Sequence, residues 1–113
     1  MHEISLLEQV RETLIEHSQS QDFSRVSQVT LEIGKLSCVE ADALRFGFDV
    51  VMSDSLAEGA ELVITSVDGL GVCQNCHKSV AMETLHDPCT YCGQFQLNVT
   101  QGEGMRIKDL LVT

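Results

Sequence analysis

No stretch of this 113-residue chain comes near the ~18 consecutive apolar residues of a membrane span. The densest apolar clusters are Val50-Val51-Met52 and Leu62-Val63-Ile64, which suit a packed core and exclude a helical span. Basic residues are also scarce. Seven Lys and Arg stand against seventeen Asp and Glu, a formal charge of −10. Phosphate binding needs clustered cationic side chains, so neither a nucleic acid nor an anionic membrane is expected as a partner. The first ten residues hold Glu3 and Glu8 and no Lys or Arg. They therefore lack the basic start of a secretory signal, and a cytoplasmic location with reduced thiols is expected. Beyond a paired CxxC there is no internal repeat, and there is no low-complexity tract.

What the chain does have is apolar content and an uneven set of cysteines. Hydrophobic residues make up 43%, enough for a core and too many for global disorder. Cys38 stands alone, whereas Cys73, Cys76, Cys89 and Cys92 fall together. In a reduced compartment such a cluster points to a metal before disulfides. Residues 3–18 read as a helix, with Ile4, Leu7, Val10 and Leu14 on its apolar face and Glu8, Glu12 and Glu16 on its outer stripe. Val29, Leu31 and Ile33 alternate with Gln28, Thr30 and Glu32, a half-buried strand closed by Gly34. Ser37-Cys38-Val39-Glu40 has the spacing of a capping box. A second helix to about Met52 follows, its face formed by Leu44, Phe48 and Val51 and widened by Ala43, Phe46 and Val50. Cys38, just inside that helix, is expected to be a small buried hydrophobe. Residues 62–67 form a second strand. The alternation of Met105 and Ile107 with Arg106 and Lys108 gives a third, and it slips at Asp109 as at a bulge.

The expected fold is therefore α+β: two helices packed on a three-stranded sheet, with a small zinc-ribbon-like domain inserted before the last strand. The body comprises residues 1–68 and 105–113. The inserted module comprises residues 69–104, entered through Gly69-Leu70-Gly71 and left through Gln101-Gly102-Glu103-Gly104.

Cys73-Gln74-Asn75-Cys76 and Cys89-Thr90-Tyr91-Cys92 let two tight turns each aim two thiolates at one ion. Four soft ligands in a closed tetrahedron suit Zn²⁺ in a structural role, whereas a catalytic zinc needs an open position. A rubredoxin-like iron centre would use the same ligands. The haem-attachment pattern in Cys73-Gln74-Asn75-Cys76-His77 demands export and leaves Cys89 and Cys92 without a role. A nucleic-acid zinc ribbon lacks its phosphate contacts, because Lys78 is the one base between Cys73 and Cys92. His77 and His86 read as exposed loop residues or donors to sulfur. The sharper alternative is exchange with a cysteine ligand in acid, near the ordinary histidine pKa of about 6.5.

Met1-His2-Glu3 is the second chemical feature. His2 is too large for removal of the initiator methionine. The α-amine of Met1, the amide and imidazole of His2, and the amide or carboxylate of Glu3 can then close fused chelate rings. Three or four nitrogens in a plane suit Ni(II) or Cu(II). The bland readings are a solvated terminus for His2 and a first-turn acid on the helix dipole for Glu3.

Together these motifs carry a resemblance. The start Met1-His2-Glu3-Ile4-Ser5 and the segment Leu31-Glu32-Ile33-Gly34-Lys35-Leu36-Ser37-Cys38-Val39-Glu40 belong to it. So do Ala43-Leu44-Arg45-Phe46-Gly47-Phe48, Ala57-Glu58-Gly59-Ala60-Glu61-Leu62 and the paired CxxC. In order and over nearly the whole chain, they resemble the HypA/HybF family, the nickel metallochaperones of [NiFe]-hydrogenase maturation. The resemblance implies a delivery protein and not an enzyme. Ni²⁺ would be the cargo, held by Met1, His2 and Glu3, and Zn²⁺ would be structural, held by Cys73, Cys76, Cys89 and Cys92. Partners would be the nucleotide-dependent HypB and the hydrogenase large subunit, with urease served in some organisms. Glu40 matches a position where the family often carries an acid. Some members place His after both CxxC pairs, but here Gly93 follows Cys92. A weak homo-oligomer is compatible with an insertion on hinges. The alternative is a zinc-ribbon protein–protein adaptor with no nickel role.

Overall fold

The computed structural model describes residues 2–113, apart from the side chain of His2. The element order is α1 (His2–Gln21), β1 (Val26–Gly34), α2 (Ala41–Met52), β2 (Glu61–Val67), β3 (Gly69–Cys73), β4 (Ser79–Met82), β5 (Leu97–Gln101) and β6 (Met105–Val112). The strands make two three-stranded sheets, ordered β2-β1-β6 and β4-β3-β5. The chain forms two compact units. One comprises Met1–Leu31, Val39–Thr65 and Arg106–Thr113; the other comprises Glu32–Cys38 and Ser66–Met105.

In the first unit the apolar periodicity of α1 acts as its spacing predicts. Leu7, Val10 and Leu14 are buried and Ile4 is half-buried, while Glu8, Glu12 and Glu16 face solvent. Like charges at i, i+4 do not support a helix by themselves, so this buried stripe holds α1 in place. The helix meets α2 at Gly47. A Cβ there would lie 2.8 Å from Ile4 Cδ1 and 3.2 Å from Leu7 Cδ1. Glycine is costly inside a helix, and here its missing side chain permits the close crossing. In α2 the buried face is Leu44, Gly47, Phe48 and Met52. Phe46 and Val50 do not widen it. They are 87% and 73% exposed, because at 100° per residue they fall on the far side from Leu44.

The central strand β1 is more buried than simple alternation suggests, with Val29, Thr30 and Leu31 all inside. In β6 the exposure pattern breaks where expected. Met105, Ile107 and Leu110 are half-buried, while Lys108 and Asp109 are both exposed.

The helix-capping expectation is not met. The N-cap of α2 is Glu40, with no side-chain cap, and the helix begins at Ala41. The Ser37 hydroxyl instead donates to the Gly34 carbonyl at 2.7 Å, as does its own amide at 3.0 Å. Ser37 therefore closes a turn at the end of β1. Cys38 follows it at φ +61° and is exposed, not buried.

The second unit contains a sheet of short strands, of which β3 carries two glycines. β3 pairs antiparallel with β4, Gly69 opposite Met82 and Val72 opposite Ser79. It also pairs antiparallel with β5, with a shift of register between Leu70 and Gly71. Gly71 gives up its side-chain space to Met82, whose Sδ would lie 2.6 Å from a Cβ there. Gly102 turns the chain out of β5 at φ +97°, a conformation reserved in practice for glycine.

Candidate metal centre

Two loops of the second unit carry the cysteines, and they are built alike. In the first, the Cys73 amide donates to the Lys78 carbonyl at 3.0 Å, and the His77 amide donates to the Cys73 carbonyl at 2.8 Å. In the second, Cys89 donates to Gln94 at 2.8 Å, and Gly93 donates to Cys89 at 2.8 Å. The offsets of five and four residues are the same in both. Each loop reverses through a left-handed residue immediately after its CxxC: His77 at φ +63° and Gly93 at φ +77°. The position following each CxxC is thus a backbone requirement. Glycine meets it without strain, and His77 occupies it with an exposed side chain.

These loops bring the four sulfurs together, all within 4.8 Å of one another. Cys73 Sγ lies 3.6 Å from Cys92 Sγ, and Cys76 Sγ lies 3.6 Å from Cys89 Sγ. Those separations are far beyond a disulfide bond, and all five cysteines are free thiols. A zinc–sulfur bond of about 2.3 Å in a tetrahedron gives sulfur–sulfur edges of about 3.8 Å, so the observed spacing suits a zinc ion. Cys73 and Cys89 are buried with Val80, and Cys76, Cys92 and Leu97 pack around them. Among the described residues this is the single cluster of three or more potential metal ligands. His77 and His86 are exposed and not part of it.

The protein environment already favours thiolate at part of the site. The amides of Asn75 and Cys76 point at Cys73 Sγ at 3.4 and 3.5 Å, and the Tyr91 amide points at Cys89 Sγ at 3.4 Å. The side-chain amide of Asn75 reaches across to Cys92 Sγ at 3.5 Å. The Gln94 amide and then Asn75 pull the Cys92 thiol down to about 6. Burial pushes Cys89 up, but the amides of Cys92 and Tyr91 and the Cys76 thiol outweigh it, so Cys89 is lowered. Cys76 receives the Lys78 amide, which lowers it. Burial and the Cys89, Cys73 and Cys92 sulfurs prevail, leaving it at about 11. A divalent cation would displace the remaining thiol protons as it binds. Lys78 Nζ stands 4.5 Å from the centroid of the Tyr91 ring, a cation–π contact joining the two loops.

The candidate nickel ligands lie elsewhere. Met1 and the His2 side chain are outside the described residues. Glu3 is half-buried in the first turn of α1. Its Oε2 accepts a hydrogen bond from the Glu40 amide at 3.3 Å. The sequence spacing paired Glu40 with Ser37; the fold brings it to Glu3 instead. The role of Asn75 as a donor to sulfur was not evident from the sequence. Its position inside the first CxxC was the available signal.

A cluster of four cysteine sulfurs in a small α+β chain defines a metal-binding protein. Comparison with known proteins narrows the class. Residues 1–112 match the family model described as "Hydrogenase/urease nickel incorporation, metallochaperone, hypA". A hydrogenase maturation factor HypA of Psychromonas ingrahamii is 49% identical over 112 residues, covering 99% of this chain and 98% of that one. Its counterpart in Azorhizobium caulinodans is 50% identical over 112 residues, covering 99% of both. The solution structure of the Ni metallochaperone HypA from Helicobacter pylori shares the fold at a TM-score of 0.74 and 21% identity, covering 97% of this chain and 96% of that one. This chain belongs to the HypA family of nickel metallochaperones for hydrogenase maturation. Nickel as cargo and zinc as a structural ion both fit that membership and the four-cysteine geometry. No described helix is long and apolar enough to cross a membrane.

Proposed function

We propose that this chain binds Ni(II) at its N-terminus, through the Met1 α-amine, the His2 amide and imidazole, and Glu3, and delivers it for assembly of a [NiFe]-hydrogenase. The observation that carries the reading is the family match running from residue 1, with Glu3 described beside the N-cap of α2. A chelate built mainly from one tripeptide can be dismantled by a recipient more readily than a rigid cage. That suits a protein whose task is transfer. Glu40, brought to Glu3 through its backbone, is available to supplement the set.

On this reading residues 1–68 and 105–113 form the nickel-binding body, and residues 69–104 form a domain organised by zinc on Cys73, Cys76, Cys89 and Cys92. Zinc stays during transfer, because four thiolates leave no position for exchange. On this reading the chain is a delivery protein and not an enzyme. Its partners are HypB and the hydrogenase large subunit, in the cytoplasm, and its excess of acids steers it toward basic surfaces and cations. A weak homo-oligomer is compatible with this reading.

The test is a nickel titration of zinc-loaded protein with a native terminus, of His2→Ala, and of a form with an N-terminal extension. The native protein should bind tightly and the other two should not. Equal binding by all three would refute the terminal site. Absence of specific nickel binding in every form would leave the adaptor reading.

A further inference from the structure

The four sulfurs are not equivalent, and the difference lies in what points at them. Cys73 accepts the amides of Asn75 and Cys76. Cys89 accepts those of Tyr91 and Cys92. Cys92 accepts the Gln94 amide and the side chain of Asn75. Cys76 accepts one donor, the Lys78 amide. Cys73 and Cys89 are also buried, whereas Cys76 and Cys92 are half-exposed. Each N–H···S hydrogen bond draws electron density from a metal-bound thiolate and lowers its nucleophilicity. Exposure selects Cys76 and Cys92, and the hydrogen bonds separate those two. The residue that separates them is Asn75, which sits in the first CxxC and covers the sulfur of the second.

We propose that Cys76 is the sulfur at which the zinc-loaded centre is oxidised by a hydroperoxide, that the product is a Cys76–Cys89 disulfide, and that Asn75 protects Cys92 from the same attack. The inference rests on the proposed ligation of zinc by these four cysteines. In the first step the Cys76 thiolate attacks a peroxide oxygen of H₂O₂, forming a sulfenic acid and releasing hydroxide. In the second, the Cys89 thiolate, 3.6 Å away, attacks that sulfur and expels a second hydroxide. Two thiolates lose two electrons, the peroxide gains them, and both hydroxides take protons from solvent to become water. A zinc ion held by the four cysteines would be left with Cys73 and Cys92 alone and be released. The module thereby acquires an oxidant-sensitive release of its structural ion, and its sulfurs are paired across the two loops for it.

The experiment uses the full-length chain. Zinc per chain is measured first. Zinc-loaded protein then receives limiting H₂O₂ in the presence of a chromogenic zinc chelator. Free thiols are trapped with iodoacetamide and the peptides are mapped by mass spectrometry. Cys76–Cys89 should be the leading disulfide, appearing in step with zinc release. A leading product that contains Cys92, or one joining Cys73 to Cys76 within a loop, overturns the proposal. In Asn75→Ala the ratio of Cys73–Cys92 to Cys76–Cys89 should rise by about fivefold, the factor equivalent to one ordinary hydrogen bond. An unchanged ratio refutes the protective role of Asn75. Asn75 is exposed, and in the native protein a dimedone adduct trapped on Cys76 supports the Cys76 assignment while one on Cys89 overturns it, even if the variant loses its metal. A native protein that holds no zinc sinks the ligation reading, an outcome distinct from zinc-loaded protein reacting at the wrong sulfur.

Discussion

The carboxylate of Glu3 accepts the backbone amide of Glu40 at 3.3 Å, tying the first turn of α1 to the N-cap of α2. The amide it satisfies lies just before a helix that has no side-chain cap of its own. Glu3 thus has a structural task beside its proposed metal task, and the two can be separated. Glu3→Gln keeps an oxygen acceptor and removes the charge, so its thermal stability should match the native protein while nickel binding weakens. Glu3→Ala should lose both, with a stability cost of about 1 kcal/mol for one partly exposed hydrogen bond. Paired thermal melts and nickel titrations check this. Equal nickel affinity in the native protein and Glu3→Gln would remove the carboxylate from the ligand set.

Nickel affinity should fall as pH drops, because protons compete for the same nitrogens. An imidazole titrates near pH ~6.5 and an α-amine near about 7.7–8.0. The decline should therefore begin below about pH 8 and steepen below about pH 6.5. In an N-terminally acetylated protein the upper part of the decline should vanish along with most of the affinity. A titration series across pH 5.5–8.5 measures it, and a flat affinity through that range contradicts ligation by the terminus.

Gly47 offers a test of the helix crossing. Alanine there would gain about 1 kcal/mol of helix propensity and meet Ile4 Cδ1 at 2.8 Å, the movable end of a side chain. The two effects oppose, and Gly47→Ala should stay within about 1 kcal/mol of the native stability. Gly47→Leu cannot be relieved by a small shift of Ile4. It should cost about 1–3 kcal/mol, as overpacking does. Denaturant unfolding would decide, and a harmless leucine would mean that the helices do not approach as closely as described.

How far the sequence alone reveals this architecture depends on the kind of signal. The stripe Leu7-Val10-Leu14 and the apolar positions Val29, Leu31 and Ile33 of β1 are repeated patterns over many residues, and both are buried, although Thr30 between them is buried as well. The spacing Ser37 to Glu40 is one coincidence of two residues. It fails because Ser37 bonds backward to Gly34, leaving Glu40 as the cap. Cys38 fails with it, since an N1 position inside a helix and an exposed left-handed turn are opposite environments. Strands β3 to β5 leave little periodic signal in the sequence. They are four or five residues long, and β3 spends two of its positions on glycine, which carries no hydropathy signal and here makes room for Met82. At the metal centre the cysteine spacing alone is enough to pick out the four sulfurs that come together, because each CxxC folds locally. The hydrogen bonds to sulfur depend on how the two loops face each other, which no spacing encodes.

Asp87 holds the turn that leads into the second cysteine loop. Its carboxylate accepts the amides of Glu83 at 2.7 Å and Thr84 at 3.2 Å and the Thr84 hydroxyl at 2.7 Å. The Glu83 amide first, then the Thr84 donors, hold its pKa below the ordinary 3.8. A carboxylate lowered on folding adds stability above its unfolded pKa, and that stability is lost as pH falls through the folded value. Asp87→Ala should therefore be less stable at neutral pH and lose less of its remaining stability below pH ~4. Hydrogen exchange at the Glu83 and Thr84 amides should quicken in the variant. Unchanged exchange there would mean the carboxylate does not hold the turn.

Removal of zinc should have the largest effect of all, and it should be local. The core around the centre is small, with Val80 the one fully buried residue besides Cys73 and Cys89. On the zinc reading those two are ligands, and the metal takes the place where a larger domain would have packed side chains. Once zinc is stripped, the four sulfurs within 4.8 Å either keep their protons or repel one another as thiolates. The free energy of a structural zinc site, about 10–16 kcal/mol, exceeds what such a core can replace. A strong chelator should abolish amide protection at Cys73, His77, Cys89 and Gly93, the donors that define the two loops. Protection along α1, held by Leu7, Val10 and Leu14, should persist. Exchange measured by NMR before and after chelation separates the outcomes: protected loops in metal-free protein would show that the module folds without its ion, and loss along α1 as well would show that the body depends on it.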